Sequence, residues 1–198
     1  MKTENSVLMK QAREALSGKW GLAIWAFFLY FLITLIIQNI PKVGSFIPLF
    51  ISGPMALGFA IFSLSISRNQ NPKLEQIFEG FKRFGTSLVA FILMSLFTLL
   101  WTLLLIVPGI IASLSYSMTF YIIADDSSMG AIETIKRSKK MMYGFKWKYL
   151  ELQLRFLGWA LLSILTLGIG LLWLVPYMSI SNAKFYEDIK IVNLTPVF

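Results

Sequence analysis

Three long apolar stretches, each able to fold back on itself as a helical hairpin, alternate along this chain with three short basic, amphipathic stretches. Sixteen of the 18 Lys and Arg residues lie outside the apolar stretches. Cations that flank apolar spans hold their loops in the cytoplasm. The pattern predicts an all-α integral membrane protein: a six-span helical bundle, built from three tandem repeats of a surface helix plus a transmembrane hairpin. Both termini are expected in the cytoplasm, and residues 1–198 are expected to form a single membrane domain.

Composition supports a partly lipid solvent. The chain is 57% hydrophobic and only 14% charged, with a mean hydropathy of +0.70, whereas soluble domains are about one quarter charged. A helix of roughly 20 residues crosses the ~30 Å hydrocarbon layer. The net charge of +8 would point to nucleic acid in a soluble domain. Here the cations sit in membrane-flanking segments, so orientation and anionic lipid head groups account for them, and nucleic acid is not an expected partner. With no Cys and no His, disulfide and thiolate chemistry are excluded, as are the usual general base and the usual metal ligands. No metal and no cofactor is expected. The N-terminal segment Met1–Lys19 is too long and amphipathic for the n-region of a cleavable signal, and no small-residue cleavage site follows Trp20–Ile37.

Along the chain, Asn5–Ser17 reads as a surface helix with Val7, Leu8, Ala12, Ala15 and Leu16 on one face. Spans are expected at about Trp20–Ile40 and within Val43–Ser67, with only Pro41-Lys42 between them. Asn71-Pro72 is expected to start a second surface helix, Asn as N-cap and Pro at the first helical position. Its apolar stripe would be Leu74, Ile77, Phe78, Phe81 and Phe84. Thr86–Ala124 is 39 uncharged residues, about twice one span, and Pro108-Gly109 is expected to divide it. Asp125-Asp126-Ser127-Ser128 then reads as the cap of a third surface helix. That helix would have Met129, Ile132 and Ile135 on one side and a Glu133–Arg137 pair on the other.

Phe156–Ala183 is 28 uncharged residues, too short for two full spans. Two spans fit if the fifth starts near Trp147 and takes in Glu151 and Arg155, with Gly168 and Gly170 at the turn. The alternative is one long tilted helix and five spans. Six spans keep Lys184 and Lys190 in the cytoplasm with the other cations, and five would export them; charge favours six.

The segments Gly18-Lys19-Trp20, Gly80-Phe81-Lys82-Arg83-Phe84 and Gly144-Phe145-Lys146-Trp147-Lys148 are alike, with glycines 62 and 64 residues apart. Pro48, Pro108 and Pro176 follow them by 30, 28 and 32 residues. The repeat units are approximately residues 5–67, 71–124 and 128–190. Each joint combines a Gly for turning into the membrane, aromatics for head-group depth and cations for the phosphate layer.

The phrases "GFKRFG", "LLLIVPGIIASLSYSM", "AIETIKRSKKMM" and "LGWALLSILTLGIGLLWLVPYMSISNAKFYEDI" resemble the bacterial integral membrane family catalogued as domain of unknown function 975. The resemblance covers nearly the whole chain. It implies a bacterial cytoplasmic (plasma) membrane protein with several helical spans and no assigned activity. More distantly, the chain is similar to the membrane domain attached to some glycerophosphodiester phosphodiesterases, without their catalytic domain.

Several residues are candidates for function. Glu151 and Arg155 are i,i+4 within the fifth span and form a candidate intramembrane polar site, set against a local salt bridge with Arg155 snorkelling to phosphates. Lys136, Arg137, Lys139, Lys140, Lys146 and Lys148, with Trp147, are candidate lipid-headgroup contacts. Pro48, Gly53-Pro54, Pro108, Gly109 and Pro176 are expected to break or kink the even-numbered spans. Ser113, Ser115, Ser117, Thr119, Ser179, Ser181 and Asn182 follow two of these breaks. They would line a cavity or pack helices closely. No catalytic residues stand out and no enzyme is expected. The function read from the residues is transport or lipid/solute binding. The alternative is a membrane scaffold or adaptor that binds a partner protein or anionic lipid through its basic helices.

Overall fold

The structure, a computed structural model, describes residues 3–39 and 47–194. The turn expected at Pro41-Lys42 and the start of the second span lie outside the described residues. In chain order the elements are α1 (Asn5–Leu16), α2 (Trp20–Gln38), α3 (Ile47–Ser67), a 3-10 helix (Leu74–Arg83), α4 (Phe84–Leu104) and α5 (Ile106–Tyr116). They continue with α6 (Thr119–Asp125), α7 (Ala131–Met141), α8 (Lys146–Leu165) and α9 (Leu171–Leu194). Among the described residues every regular element is helical.

By length and composition, Ile47–Ser67, Leu74–Leu104 and Ile106–Asp125 can each cross a membrane. The pair α1–α2, bent by 95°, adds a fourth candidate. The charges of α8 fall in its first half and those of α9 in its second, leaving shorter apolar runs on either side of the turn between them. That turn sits where glycine permits it: Leu167 and Gly168 both have positive φ, 54° and 85°.

Burial divides the molecule along its length. The largest core cluster joins Leu8 of α1, Leu64 of α3, Ile122 of α6, Leu152 and Phe156 of α8, and Phe185 and Ile189 of α9. A second cluster holds Ala12, Ala15 and Leu16 of α1 against Phe62, Ile66, Ile77 and Ile180. Both gather near the charged ends of the helices. The opposite ends leave large apolar side chains bare: Leu103 to Val107 around the α4–α5 turn, and Leu165, Leu167 and Ile169 around the α8–α9 turn, where Leu167 is 95% exposed. Exposure on this scale is stable only where the surroundings are themselves apolar.

The joints between elements differ. Gly18 and Gly144 adopt φ of +74° and +78°, a left-handed conformation open to glycine at little cost. Gly80 does not turn the chain; the 3-10 helix runs on into α4. Gly80 instead lets two backbones touch. A Cβ there would lie 1.8 Å from the Pro54 carbonyl oxygen, and one on Gly58 would lie 1.8 Å from the Ile77 carbonyl oxygen.

Several local expectations are corrected. The second surface helix starts at Leu74 rather than Asn71-Pro72, with Lys73 as N-cap; its N–H donates to Gln76 Oε1 at 3.2 Å. It is 3-10, so residues three apart eclipse. The expected single stripe therefore splits into two rows. Ile77 and Gly80 face α3 and are buried, while Phe78, Phe81 and Phe84 form an exposed ridge. The α4–α5 turn falls at extended Leu105, ahead of Pro108-Gly109. Pro108 occupies the first turn of α5, where its missing N–H costs nothing. The third surface helix is capped by Gly130, not by the Asp-Asp-Ser-Ser run. The face that α7 buries is Ala131, Thr134, Ile135, Ser138 and Met141, while Ile132 is exposed. Arg137 lies 3.8 Å from Asp126 instead of pairing with Glu133.

Candidate functional site

The charged end of the bundle is held by an ionic junction centred on Asp125, the last residue of α6. Arg68, one residue past α3, places Nη2 2.5 Å from Asp125 Oδ1 and 2.6 Å from Glu187 Oε1. Lys190 Nζ donates to Asp125 Oδ2 at 2.5 Å, and Tyr186 Oη donates to the same oxygen at 2.8 Å. Thus the ends of α3 and α6 and the last turns of α9 meet at one carboxylate. Three donors and two carboxylates satisfying one another make such a group favourable away from bulk water. Beside it, Lys148 Nζ pairs with Asp188 Oδ2 at 2.7 Å, and Asp188 also accepts from the Thr3 hydroxyl.

Cations from distant segments cap helix C-termini, whose unsatisfied carbonyls carry partial negative charge. Arg83 Nη1 donates to Ile123 O at 3.0 Å and Asp126 O at 3.3 Å, and Nη2 to Met129 O at 3.3 Å. Lys184 Nζ donates to Ser67 O at the end of α3. Asp126 accepts from the Ser128 hydroxyl at 2.6 Å and from the Ser128 N–H at 3.0 Å. These bonds hold its carboxyl below the usual carboxylate range. So Asp125 and Asp126 serve a junction and a tight turn rather than an N-cap.

Ser138 of α7 fills a break between α5 and α6. Its hydroxyl donates to Ser115 O at 2.8 Å and accepts from Met118 N at 3.2 Å. The interruption of the Ile106–Asp125 helix therefore lies at Ser117-Met118 and not at Pro108-Gly109. Gly109 packs against Thr102 of α4. Pro48 lies in the first turn of α3, and α3 and α9 run through Pro54 and Pro176 without ending.

The expected hydroxyl lining is turned inward on its own helices. Ser113, Ser115, Ser117 and Thr119 donate to Ile110 O, Ile111 O, Leu114 O and Tyr116 O at 2.6–2.9 Å. Ser179 accepts from Ser63 at 3.1 Å, and Asn182 accepts from Gln153 at 2.8 Å. These are helix-packing contacts. The Ser181 hydroxyl is buried and has no hydrogen-bond partner among the described residues.

Glu151 and Arg155 pair with each other, Nη2 to Oε1 at 2.8 Å, and both remain exposed. They border a polar groove of about 440 Å3 beside Thr3, Asn5 and Lys148 at the start of α1. The basic cluster separates into two parts. Arg137 and Lys148 are tied down by Asp126 and Asp188. Lys136, Lys139 and Lys140 are exposed on α7 and make no ion pair among the described residues. Tyr143 and Trp147 beside them are 83% and 77% exposed, and Lys146 is half-buried.

A second groove, of about 500 Å3, was not visible in the sequence. It is lined by Met9 and Arg13 of α1, by Trp20 at the start of α2, and by α8 and α9 as far as the turn between them. No group of three or more acidic side chains suited to a metal ion occurs among the described residues.

These features define an all-helical protein with several helices long and apolar enough to cross a membrane, tied together at one charged end. Two overlapping stretches, residues 1–112 and 103–193, match the family model described as Protein of unknown function (DUF975). The chain belongs to that family. No curated protein and no solved structure matches it.

Proposed function

We propose that this chain is a six-span protein of the bacterial cytoplasmic membrane that gathers anionic phospholipid at its inner face. In this reading α2, α3, α4, α5–α6, α8 and α9 are the spans. The charged end lies in the cytoplasm with both termini, and the three hairpins are tandem repeats. The Asp125 junction then fastens the three repeats together where they re-enter the cytoplasm. The distant likeness to the membrane domain of glycerophosphodiester phosphodiesterases carries no weight in this reading.

The observation that carries the lipid role is the outer face of α7. Lys136, Lys139 and Lys140 make no ion pair there among the described residues, and Tyr143, Trp147 and Ile132 are exposed beside them. Aromatics at head-group depth and cations in the phosphate layer are what an anionic leaflet recruits, about 1 kcal/mol per cation near the surface. The ridge of Phe78, Phe81 and Phe84 provides a second interfacial anchor. Transport is less well supported, because Glu151 and Arg155 satisfy each other on an exposed face and the hydroxyls of Ser113, Ser115, Ser117 and Thr119 are engaged by nearby backbone carbonyls.

The test is the composition of lipid carried out with the protein. Purified chain is reconstituted into vesicles of equal phosphatidylglycerol and phosphatidylcholine, then extracted in polymer-bounded discs. The wild type should carry phosphatidylglycerol in excess. The K136Q/K139Q/K140Q variant should lose most of that excess, and high salt should weaken it in the wild type. An unchanged lipid ratio in the triple variant at low salt would remove the reading.

A further inference from the structure

The groove where α8 and α9 meet α1 and the start of α2 has a chemistry distinct from the lysine face. Its walls are Trp20, Trp159, Leu162, Trp173 and Leu174, with Tyr177 at the inner end. Three of the six tryptophans of the chain therefore line one groove. Trp159, Leu162 and Trp173 are exposed to the surroundings, so the groove opens sideways, toward the layer that surrounds the apolar belt.

Every hydroxyl in the groove is already engaged. Ser163 donates to Trp159 O at 2.9 Å, and Thr166 donates to Ser163 O at 2.8 Å while accepting from Gly170 N at 2.9 Å. Tyr177 Oη donates to Met9 O at 3.2 Å. A polar solute would find no free hydroxyl donor along this length and only the indole N–H groups to bond to, so most of its desolvation there would go uncompensated. An alkyl chain loses nothing. A volume near 500 Å3 is in the range of small-molecule sites.

At the inner end the chemistry changes. Arg13, in the last turn of α1, is exposed and makes no ion pair among the described residues. A guanidinium matches a phosphate by paired hydrogen bonds. Apolar walls along the groove and the exposed Arg13 guanidinium at its mouth fit a single amphiphile with an anionic head.

We infer that this groove is a site for one anionic diacyl phospholipid, one acyl chain between Trp20, Trp159 and Trp173 and the phosphate on Arg13. The inference rests on the membrane placement proposed above, but it uses none of the α7 lysines. It assigns a bound lipid of fixed stoichiometry, where the α7 face recruits a loose excess.

Native mass spectrometry of the whole chain released from detergent tests it, with phosphatidylglycerol and phosphatidylcholine offered at equal concentration. The wild type should retain one phosphatidylglycerol per chain. R13Q should lower that occupancy about tenfold or more, R13K should retain part of it, and L162W, which fills the groove, should abolish it. K136Q/K139Q/K140Q should leave the single lipid in place, so a failure of the α7 reading and a failure of this one give different results. Melting temperatures of the variants in detergent check that each is folded. Equal retention of the two lipids by the wild type, or full occupancy in folded R13Q and L162W, would overturn the assignment.

Discussion

Replacing Gly58 with valine should prevent the chain from reaching its folded state, or leave it melting far below the wild type. The 3-10 helix lies directly on α3, backbone to backbone. A Cβ at Gly58 would stand 1.8 Å from Ile77 O and 2.5 Å from Ile77 C. The obstacle is main chain, so no rotamer change relieves it. Gly80 faces the same constraint from the other side, with a Cβ 2.8 Å from Gly58 N and 1.8 Å from Pro54 O. Overpacking of this kind costs about 3 kcal/mol or more once the helices are forced apart. Alanine at either site should already lower the melting temperature in detergent, and valine should lower it further. Gly21 provides the control. It is in α2 with nothing within 4 Å of an added Cβ, so Gly21→Ala should be neutral or stabilising by up to ~1 kcal/mol through helix propensity. A Gly58→Val protein that melts with the wild type would mean that α3 and the 3-10 helix are not in contact.

Asp125→Asn should be the most damaging change of a charged residue. The substitution keeps the shape and removes the charge that Arg68 and Lys190 share. Arg68 retains Glu187, but Lys190 loses its ion-pair partner and the two cations are left facing each other. Removing one member of a sheltered ion network costs several kcal/mol in the interior; partial exposure of Arg68 and Lys190 brings the expected loss to about 2–3 kcal/mol. Glu187→Gln should cost less, since the Glu187 side chain is 28% exposed and that of Asp125 only 12%. Thermal melting of the two variants side by side reads the order directly. An Asp125→Asn variant more stable than Glu187→Gln would contradict the role of Asp125 as the hub.

The sequence makes some of this legible and hides the rest for physical reasons. Hydropathy and spacing place α2, α4, α8 and α9 and the Gly168 turn close to where they occur, because those signals are local. They also give the buried face of α1, where Leu8, Ala12, Ala15 and Leu16 are buried and only Val7 is not. The 3-10 helix is read as an α-helix because its phenylalanines, spaced by three, satisfy both periods; its choice between them depends on the approach of α3 at Gly58 and Gly80. Asp125 reads as a cap because an acidic residue before a helix is a local signal, whereas its partners Arg68, Tyr186 and Lys190 are 57 to 65 residues away. Arg83 and Lys184 count as topology-setting cations, yet they hold helix ends. The Arg13 groove draws on α1, α2, α8 and α9 at once, and no window along the chain contains it. Glu151 and Arg155 stand out because charge in an apolar run is conspicuous, and their pairing at i,i+4 follows from the helix.

In the proposed topology six crossings return the chain to the side from which it started. The sequence has no Cys, so single cysteines introduced at Leu167, Tyr143 and Ile191 can be mapped in intact cells with a membrane-impermeant maleimide. All three positions are exposed on the folded chain. Six crossings predict labelling of Leu167→Cys from outside, and labelling of Tyr143→Cys and Ile191→Cys only after the membrane is permeabilised. Protection of Leu167→Cys together with labelling of Ile191→Cys in intact cells would contradict it and leave five crossings in place of six.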